Sequence, residues 1–197
     1  MADDVTFWFD PGCPWTWATS RWLVDAARER DLRVRWRPMS LAILNADREL
    51  EPWLRERLEL GARVLRVVAA VRDNDARERF FETYATRVHE RKEPFEAATV
   101  EAALRDAHLD PALVAAMDDD TWDVVVRAEH EAAQEAAGGE SGSPVMEYRG
   151  VGWFGPVLSP APRGAEAGEV WDDLTRFITR DEVFEVKRGR TRGPAVA

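Results

Sequence analysis

The sequence predicts an α/β domain whose chain is interrupted by an all-helical block. Short segments with the hydrophobic period of strands lie near both ends of the chain, and the stretch between them has the period of helices. The predicted elements follow the order β-α-β, then helices, then β-β-α. We therefore expect residues 1–46 and 138–197 to form one α/β domain, with residues 47–137 inserted as a helical subdomain.

The first part of the α/β domain begins with a short buried strand over residues 5–10. Residues 14–30 carry apolar side chains on one helical face, which predicts the first helix. Apolar and polar residues alternate over 32–37, which is the period of a strand, and Pro38 ends it. The apolar run 39–45 follows, and its pattern does not decide its class.

The inserted block contains successive amphipathic helical segments. Asp110 and Pro111 are residue types preferred at a helix N-cap and first turn, and the pair Gly138–Gly139 suits a helix C-terminus. The apolar stripes of these segments indicate core packing and not a cofactor site. They comprise Leu54, Leu58, Val64, Leu65, Val68 and Val71, then Phe80, Phe81, Tyr84 and Val88, then Val100, Ala103, Leu104 and Ala107.

The chain returns to the strand period after a loop at residues 138–143. Residues 144–148 and 153–155 predict two strands joined by a turn at 149–152. Residues 164–180 predict the last helix. This order completes the α/β domain after the insertion.

The charge of the chain limits its partners. The formal net charge is −10 over 197 residues, which argues against nucleic acid or an anionic membrane, because phosphate contacts need a basic surface. The basic segment Lys187–Arg192 is expected to be a solvated tail, with a phosphate-binding or partner-binding patch as the alternative. The chain has no apolar run of transmembrane length and no signal-peptide pattern, so we expect a cytoplasmic protein.

Cys13 is the only cysteine of the chain, and it lies where a thiol is readily ionised. The turn Pro11–Gly12 separates it from the first strand, and Pro14 suits the first position of a helix. The free N–H groups and the dipole of a helix N-terminus favour an anion, so we expect an acidified, nucleophilic thiol. The alternative is a small buried hydrophobic residue.

The element order, with Cys-Pro at the start of the first helix, resembles the thioredoxin-like fold of the DsbA type, which carries a helical insertion. Several sequence blocks narrow the resemblance to the mycothiol-dependent nitroreductases, which are DsbA-like oxidoreductases of actinobacteria. The resemblance implies a thiol-dependent oxidoreductase that reduces nitro compounds, quinones or disulfides, with mycothiol or a similar small thiol as co-substrate. The matching blocks are Phe7–Pro11, Cys13–Trp15, Thr19–Trp22, Met39–Asn45, Phe154–Ser159 and Pro162–Gly164.

The chain departs from the family pattern at Thr16, where the best-known members have the second cysteine of Cys-Pro-Trp-Cys. A disulfide formed on Cys13 must then be resolved by an outside thiol, since exchange proceeds through a mixed disulfide. The Thr16 hydroxyl can instead donate a hydrogen bond to the thiolate. An ordinary first-turn threonine is the alternative.

The resemblance also implies which residues surround the thiol. The pair Ser143–Pro144 occupies the place of a cis-proline that faces the active cysteine, with a trans proline opening an edge strand as the alternative. Trp15 is expected to line the cleft and to stack on a flat substrate. Asn45 is expected either to face the cleft or to form a turn. Asp10 is the acidic residue nearest the thiol in sequence and completes the predicted thiol- and substrate-binding set.

Two further functions stay open on sequence grounds. A residue such as Thr16 also suits a thiol-cofactor isomerase or transferase resembling the 2-hydroxychromene-2-carboxylate isomerases and kappa-class glutathione transferases. The third function is non-catalytic binding, with Cys13 vestigial. His89, His108 and His130 lack metal-ligand spacing, and no glycine-rich nucleotide loop follows a strand, so we expect no metal and no tightly bound nucleotide. The oligomeric state is open, a homodimer included.

Overall fold

A four-stranded mixed sheet lies at the centre of the structure, a computed structural model that describes residues 3–196. The strand order is β2-β1-β3-β4. Strand β1 (Asp3–Phe9) pairs parallel with β2 (Leu32–Pro38) and antiparallel with β3 (Val145–Tyr148), which pairs antiparallel with β4 (Val151–Phe154). The two ends of the chain therefore contribute neighbouring strands, as a split α/β domain requires.

Helices α1 (Pro14–Arg30) and α7 (Gly164–Ile178) belong to the two α/β segments and pack against each other. The remaining helices lie between β2 and β3 in the chain. They are α2 (Leu41–Leu44), α3 (Pro52–Ala70), α4 (Asn74–Ala85), a π-helical turn (Thr86–Glu90), α5 (Ala97–Asp106), 3-10 turns at Pro111–Asp118 and Asp120–Trp122, and α6 (Asp123–Ala136). Within residues 3–196, no helix combines the length and apolar character needed to cross a membrane.

The sheet buries apolar side chains on both faces, because successive strand residues point to opposite sides. On one face, Phe9 stacks on Phe81 of α4 at 4.1 Å between ring centroids, in the large core that also contains Trp17 and Trp22 of α1. On the other face, Trp8 packs in a smaller cluster formed with α6. The helical block thus shares one core with the sheet. The division at residues 46/47 and 137/138 stays a prediction.

The structure decides the class of one segment that the sequence left open and corrects one predicted strand boundary. The apolar run 39–45 contains the short helix α2, which Ser40 caps by accepting a hydrogen bond from the Ile43 N–H at 3.2 Å. Strand β4 begins at residue 151, two residues earlier than predicted, because Arg149 and Gly150 both have positive φ and form a two-residue hairpin turn. The sequence analysis assigned Gly152 to the turn because it is a glycine, whereas Gly152 lies in the strand.

Candidate functional site around Cys13

Cys13 is the N-cap residue of α1, and Pro14 occupies the first helical position. Its N–H donates to the Asp10 carbonyl at 3.1 Å, and its own carbonyl accepts from the Trp17 N–H at 3.1 Å. These bonds close the turn after β1 and begin the helix. The Cys13 side chain is 8% exposed, and its Sγ lies 3.9 Å from the Ser143 carbonyl oxygen. The thiol therefore faces the loop that precedes β3.

Ser143 connects three parts of the fold at this point. Its peptide bond to Pro144 is cis. The Ser143 Oγ accepts a hydrogen bond from the Asp10 N–H at 2.9 Å and lies 2.8 Å from the Thr16 Oγ1. The end of β1, the first turn of α1 and the loop before β3 are thus joined through one hydroxyl. This contact fixes the loop beside the Cys13 sulfur.

The Asp10 carboxylate is buried, with 3% of the residue exposed. One carboxylate oxygen accepts from the Gly12 N–H and the other from the Leu41 N–H, each at 2.8 Å. Burial raises the pKa of Asp10 to about 6, and it outweighs both hydrogen bonds and the charge of Arg57, which lower the pKa. A carboxyl that titrates near neutral pH therefore lies close to the thiol.

The expectation of an acidified thiol at Cys13 is wrong for this structure. Burial raises the pKa of the Cys13 thiol above its ordinary value, and the charge of Asp10 raises it further. The hydroxyl and N–H of Thr16 and the N–H of Trp15 lower the pKa without reversing that effect. The sequence indicated the helix N-terminus correctly, but it did not show that the thiol is removed from solvent.

The inserted helices supply a second layer of contacts to the turn at Pro11–Gly12. Arg57 of α3 donates from Nη2 to the Gly12 carbonyl at 3.1 Å, and its guanidinium lies 4.4 Å from the centre of the Phe95 ring. The His89 Nε2 lies 2.9 Å from the Pro11 carbonyl. A carbonyl only accepts, so His89 is the donor. Burial lowers the pKa of His89 to about 4, so the imidazole is neutral at pH 7. Sequence reasoning missed these residues because their spacing carries no signal.

Two aromatic side chains lie on segments that border the Cys13 site. Trp15 is half-buried in the first turn of α1, and the Arg190 guanidinium lies 4.7 Å from the centre of its ring. Phe154, at the end of β4, is 42% exposed. The next residue, Gly155, donates its N–H to the Pro144 carbonyl at 2.8 Å, which ties the Phe154 segment to the loop beside Cys13. Sequence reasoning did not single out Phe154, because an aromatic residue in a strand is ordinarily a core residue.

The structure places Asn45 at the C-terminal end of α2. Its Nδ2 donates to the Leu41 carbonyl at 2.7 Å, and its Oδ1 accepts from Arg48 at 3.3 Å. These contacts cap the short helix, in keeping with the turn-forming alternative. Contact of Asn45 with a substrate stays a prediction.

The described part of the chain, residues 3–196, contains no group of three or more His, Cys, Asp or Glu side chains arranged to hold a metal. His130 contacts a segment different from the one that His89 contacts. Its Nδ1 accepts from the Ser40 N–H at 3.4 Å. The chemistry available beside Cys13 is that of one thiol, one carboxyl and two hydroxyl groups.

The fold is DsbA-like and belongs to the thioredoxin-fold class. The probable DsbA oxidoreductase SCO1869 from Streptomyces coelicolor superposes with a TM-score of 0.61 at 16% identity, over 99% of each chain. A 2-hydroxychromene-2-carboxylate isomerase superposes with a TM-score of 0.62 at 14% identity, over 77% of this chain and 88% of that one. At these identities the two structures establish the fold alone.

The family follows from the sequence comparison. The family model described as mycothiol-dependent nitroreductase Rv2466c matches residues 12–188, so the chain belongs to this family. A curated relative, the uncharacterized protein Rv2286c of Mycobacterium tuberculosis (strain ATCC 25618 / H37Rv), is 30% identical over 192 residues. The match covers 95% of this chain and 82% of the relative.

Proposed function

We propose that the protein is a thiol-dependent oxidoreductase in which Cys13 is the nucleophile and mycothiol, or a similar small thiol, is the reductant. The observation that carries this proposal is the position of the sulfur at the start of α1, 3.9 Å from the Ser143 carbonyl. The family described as mycothiol-dependent nitroreductase supports the choice of thiol. Small oxidised molecules, with nitro compounds or disulfides among them, are the proposed substrates, and the cytoplasm is the proposed compartment.

A single cysteine favours a cycle with an outside thiol. The Cys13 thiolate attacks the mycothiol sulfur of a mixed disulfide, which forms a Cys13–mycothiol disulfide and releases the other half as a thiolate. A second mycothiol thiolate then attacks this disulfide. That step releases mycothiol disulfide and regenerates the Cys13 thiolate. Over the whole cycle, one free mycothiol thiolate reduces the mixed disulfide to the free thiolate of the other half, and the two mycothiol groups leave joined as mycothiol disulfide.

Thr16 and Ser143 are proposed to stabilise the thiolate. The Ser143 Oγ already accepts from the Asp10 N–H, which leaves its own proton for Thr16 at 2.8 Å. The Thr16 hydroxyl is then available to donate to sulfur, and this hydroxyl is one of the groups that lower the pKa of Cys13. Asp10 is proposed to accept the thiol proton, because its pKa of about 6 lets it hold or release a proton near neutral pH.

Substrate contact is proposed for the outer aromatic residues and for the inserted block. Trp15 is half-buried and Phe154 is exposed, both lie on segments that border the Cys13 site, and each can stack on a flat substrate. The inserted residues 47–137 contact the turn before Cys13 through Arg57 and His89. The block is therefore proposed to set substrate choice.

The proposal is tested by reduction of a nitro compound or a mixed disulfide at increasing mycothiol concentration. Cys13→Ser is expected to abolish turnover, because a hydroxyl is a far weaker nucleophile at neutral pH than a thiolate. Thr16→Val preserves the shape of the side chain and removes the hydroxyl, so it is expected to slow turnover without abolishing it. Undiminished activity in Cys13→Ser would overturn the proposal.

A thiol-cofactor isomerase is the second candidate, and Thr16 in place of a second cysteine favours it. The likeness to a 2-hydroxychromene-2-carboxylate isomerase shows that the fold accommodates that type of protein. The two candidates differ in their electron balance. An isomerase converts its substrate with no consumption of thiol, whereas the oxidoreductase cycle consumes one free thiol for each mixed disulfide that it reduces.

A further inference from the structure

We infer that the basic segment Lys187–Arg192 is an anion-binding element of the Cys13 site, which recognises a carboxylate or phosphate group on the small disulfide that reacts there. The inference rests on the proposed function, because it assigns a substrate class to the same thiol. The basic segment adds a preference for anionic substrates. The core of the site does not provide this preference, because its charged group is one buried carboxyl.

The position of the segment is the first argument. The Arg190 guanidinium lies over the Trp15 ring at 4.7 Å, and Trp15 stands two residues after Cys13 in the first turn of α1. A cation held over an aromatic face is attracted by the electrons of the ring. The middle of the segment therefore lies against the first turn of the helix that Cys13 caps.

Fixed contacts beyond the segment hold it in this position. The Ser159 hydroxyl donates to the Gly193 carbonyl at 2.8 Å and accepts from the Ala195 N–H at 2.9 Å. Val183 and Val196 pack against the main core. The chain is thus attached to the body of the protein on both sides of the basic residues. The sequence predicted a solvated tail. The basic side chains are exposed, as expected, but the backbone of the segment is held against the protein.

Charge is the second argument. The segment carries four cations within six residues in a chain whose net charge is −10. All four side chains are exposed, and none forms an ion pair with a carboxylate within residues 3–196. Elsewhere in that range many arginines are engaged by acids, as in the bidentate pair of Arg30 with Asp172. Cations without acidic partners next to the first turn of α1 are suited to an anionic substrate.

Two chromogenic disulfides test this inference on the full chain. The probe 5,5′-dithiobis(2-nitrobenzoate) is flat and carries carboxylates, whereas 2,2′-dithiodipyridine is flat and uncharged. In each reaction the Cys13 thiol loses its proton to water or Asp10, and its sulfur displaces one half of the probe as a thiolate or thione. One mixed disulfide forms, so electrons and atoms balance.

The native chain is expected to react with the anionic probe at a rate that falls as salt is added, because local attraction is screened. The variant with Arg188, Arg190 and Arg192 changed to Ala is expected to lose about tenfold of that rate. The reaction of this variant with the anionic probe should become faster as salt is added, because the rest of the protein is acidic and repels the probe until salt screens the repulsion. Its rate with the uncharged probe should stay the same.

A matched variant controls for net charge. Arg28 and Arg176 lie in the last turns of α1 and α7, and Arg72 follows the end of α3. All three are exposed, and their replacement by Ala removes the same number of charges. This variant is expected to keep most of the anionic-probe rate. Equal loss in both triple variants would overturn the inference, as would an equal change for both probes in the segment variant. A native Cys13 that reacts with neither probe, while the unfolded chain reacts with both, would overturn the proposed function itself.

Discussion

Replacement of Asp10 by Asn tests the electrostatics of the site most quantitatively. Burial raises the pKa of Asp10 from 3.8 to about 6, which corresponds to about 3 kcal/mol at about 1.4 kcal/mol for each tenfold change in proton affinity. The folded protein holds this proton more tightly than the unfolded chain does. The Asp10 proton therefore stabilises the fold below pH 3.8, and that stabilisation is lost as the pH rises through about 6.

The Asn variant lacks this titration. It also loses an acceptor, because an amide can accept from only one of the Gly12 and Leu41 N–H groups that Asp10 satisfies. That loss costs about 1–3 kcal/mol and does not depend on pH. The difference in unfolding free energy between the two proteins therefore varies with pH only because the buried Asp10 carboxyl titrates in the native chain.

The assay is urea unfolding followed by tryptophan fluorescence. Between about pH 4.5 and about pH 7.5, the unfolding free energy of Asp10→Asn is expected to gain about 2 kcal/mol relative to the native chain. Carboxylates common to both proteins cancel in the difference, and Asp181→Asn, an exposed position, is the control for removing one charge. A difference that stays constant with pH, or that moves in favour of the native chain as pH rises, would refute the reasoning.

Three further outcomes are expected. Gly152→Ala should destabilise the fold by about 3 kcal/mol, because its Cβ would lie 2.1 Å from the Ala136 carbonyl oxygen. Gly189→Ala, which meets no atom within 4 Å, should be neutral in the same urea titration. Alkylation of Cys13 by iodoacetamide should rise with pH through a midpoint above that of an ordinary thiol, near 8.5, and a lower midpoint would show that burial does not dominate. Thr16→Cys should lower the dependence of turnover on external thiol, and an unchanged dependence would argue against internal resolution.

The sequence predicted the fold because its signals are local. The alternation over residues 32–37, the Cys13–Pro14 junction and the change to a helical period each depend on neighbours in the chain. The central sheet follows from these elements once the helical block is recognised as an insertion. The same local signals placed Ser143–Pro144 opposite the thiol only with the help of a family resemblance, because Ser143 lies 130 positions from Cys13 in the chain.

The electrostatics of the site depend on contacts that the sequence does not encode locally. The Asp10 carboxylate is enclosed by Gly12 and by Leu41, which follows the next strand. The pKa of Cys13 is raised by burial, and burial depends on segments from three parts of the chain. A helix N-terminus can be predicted from Pro14, but its exposure to solvent cannot.

The central claim is that Cys13 acts as a single thiol that only an outside thiol can regenerate. It is tested by the intact mass of the protein after exposure to mycothiol disulfide and then to free mycothiol. We predict one mycothiol adduct on each native chain, no adduct on Cys13→Ser, and loss of the native adduct only after free mycothiol is added. The absence of an adduct on the native chain, or its loss with no added thiol, would contradict the account.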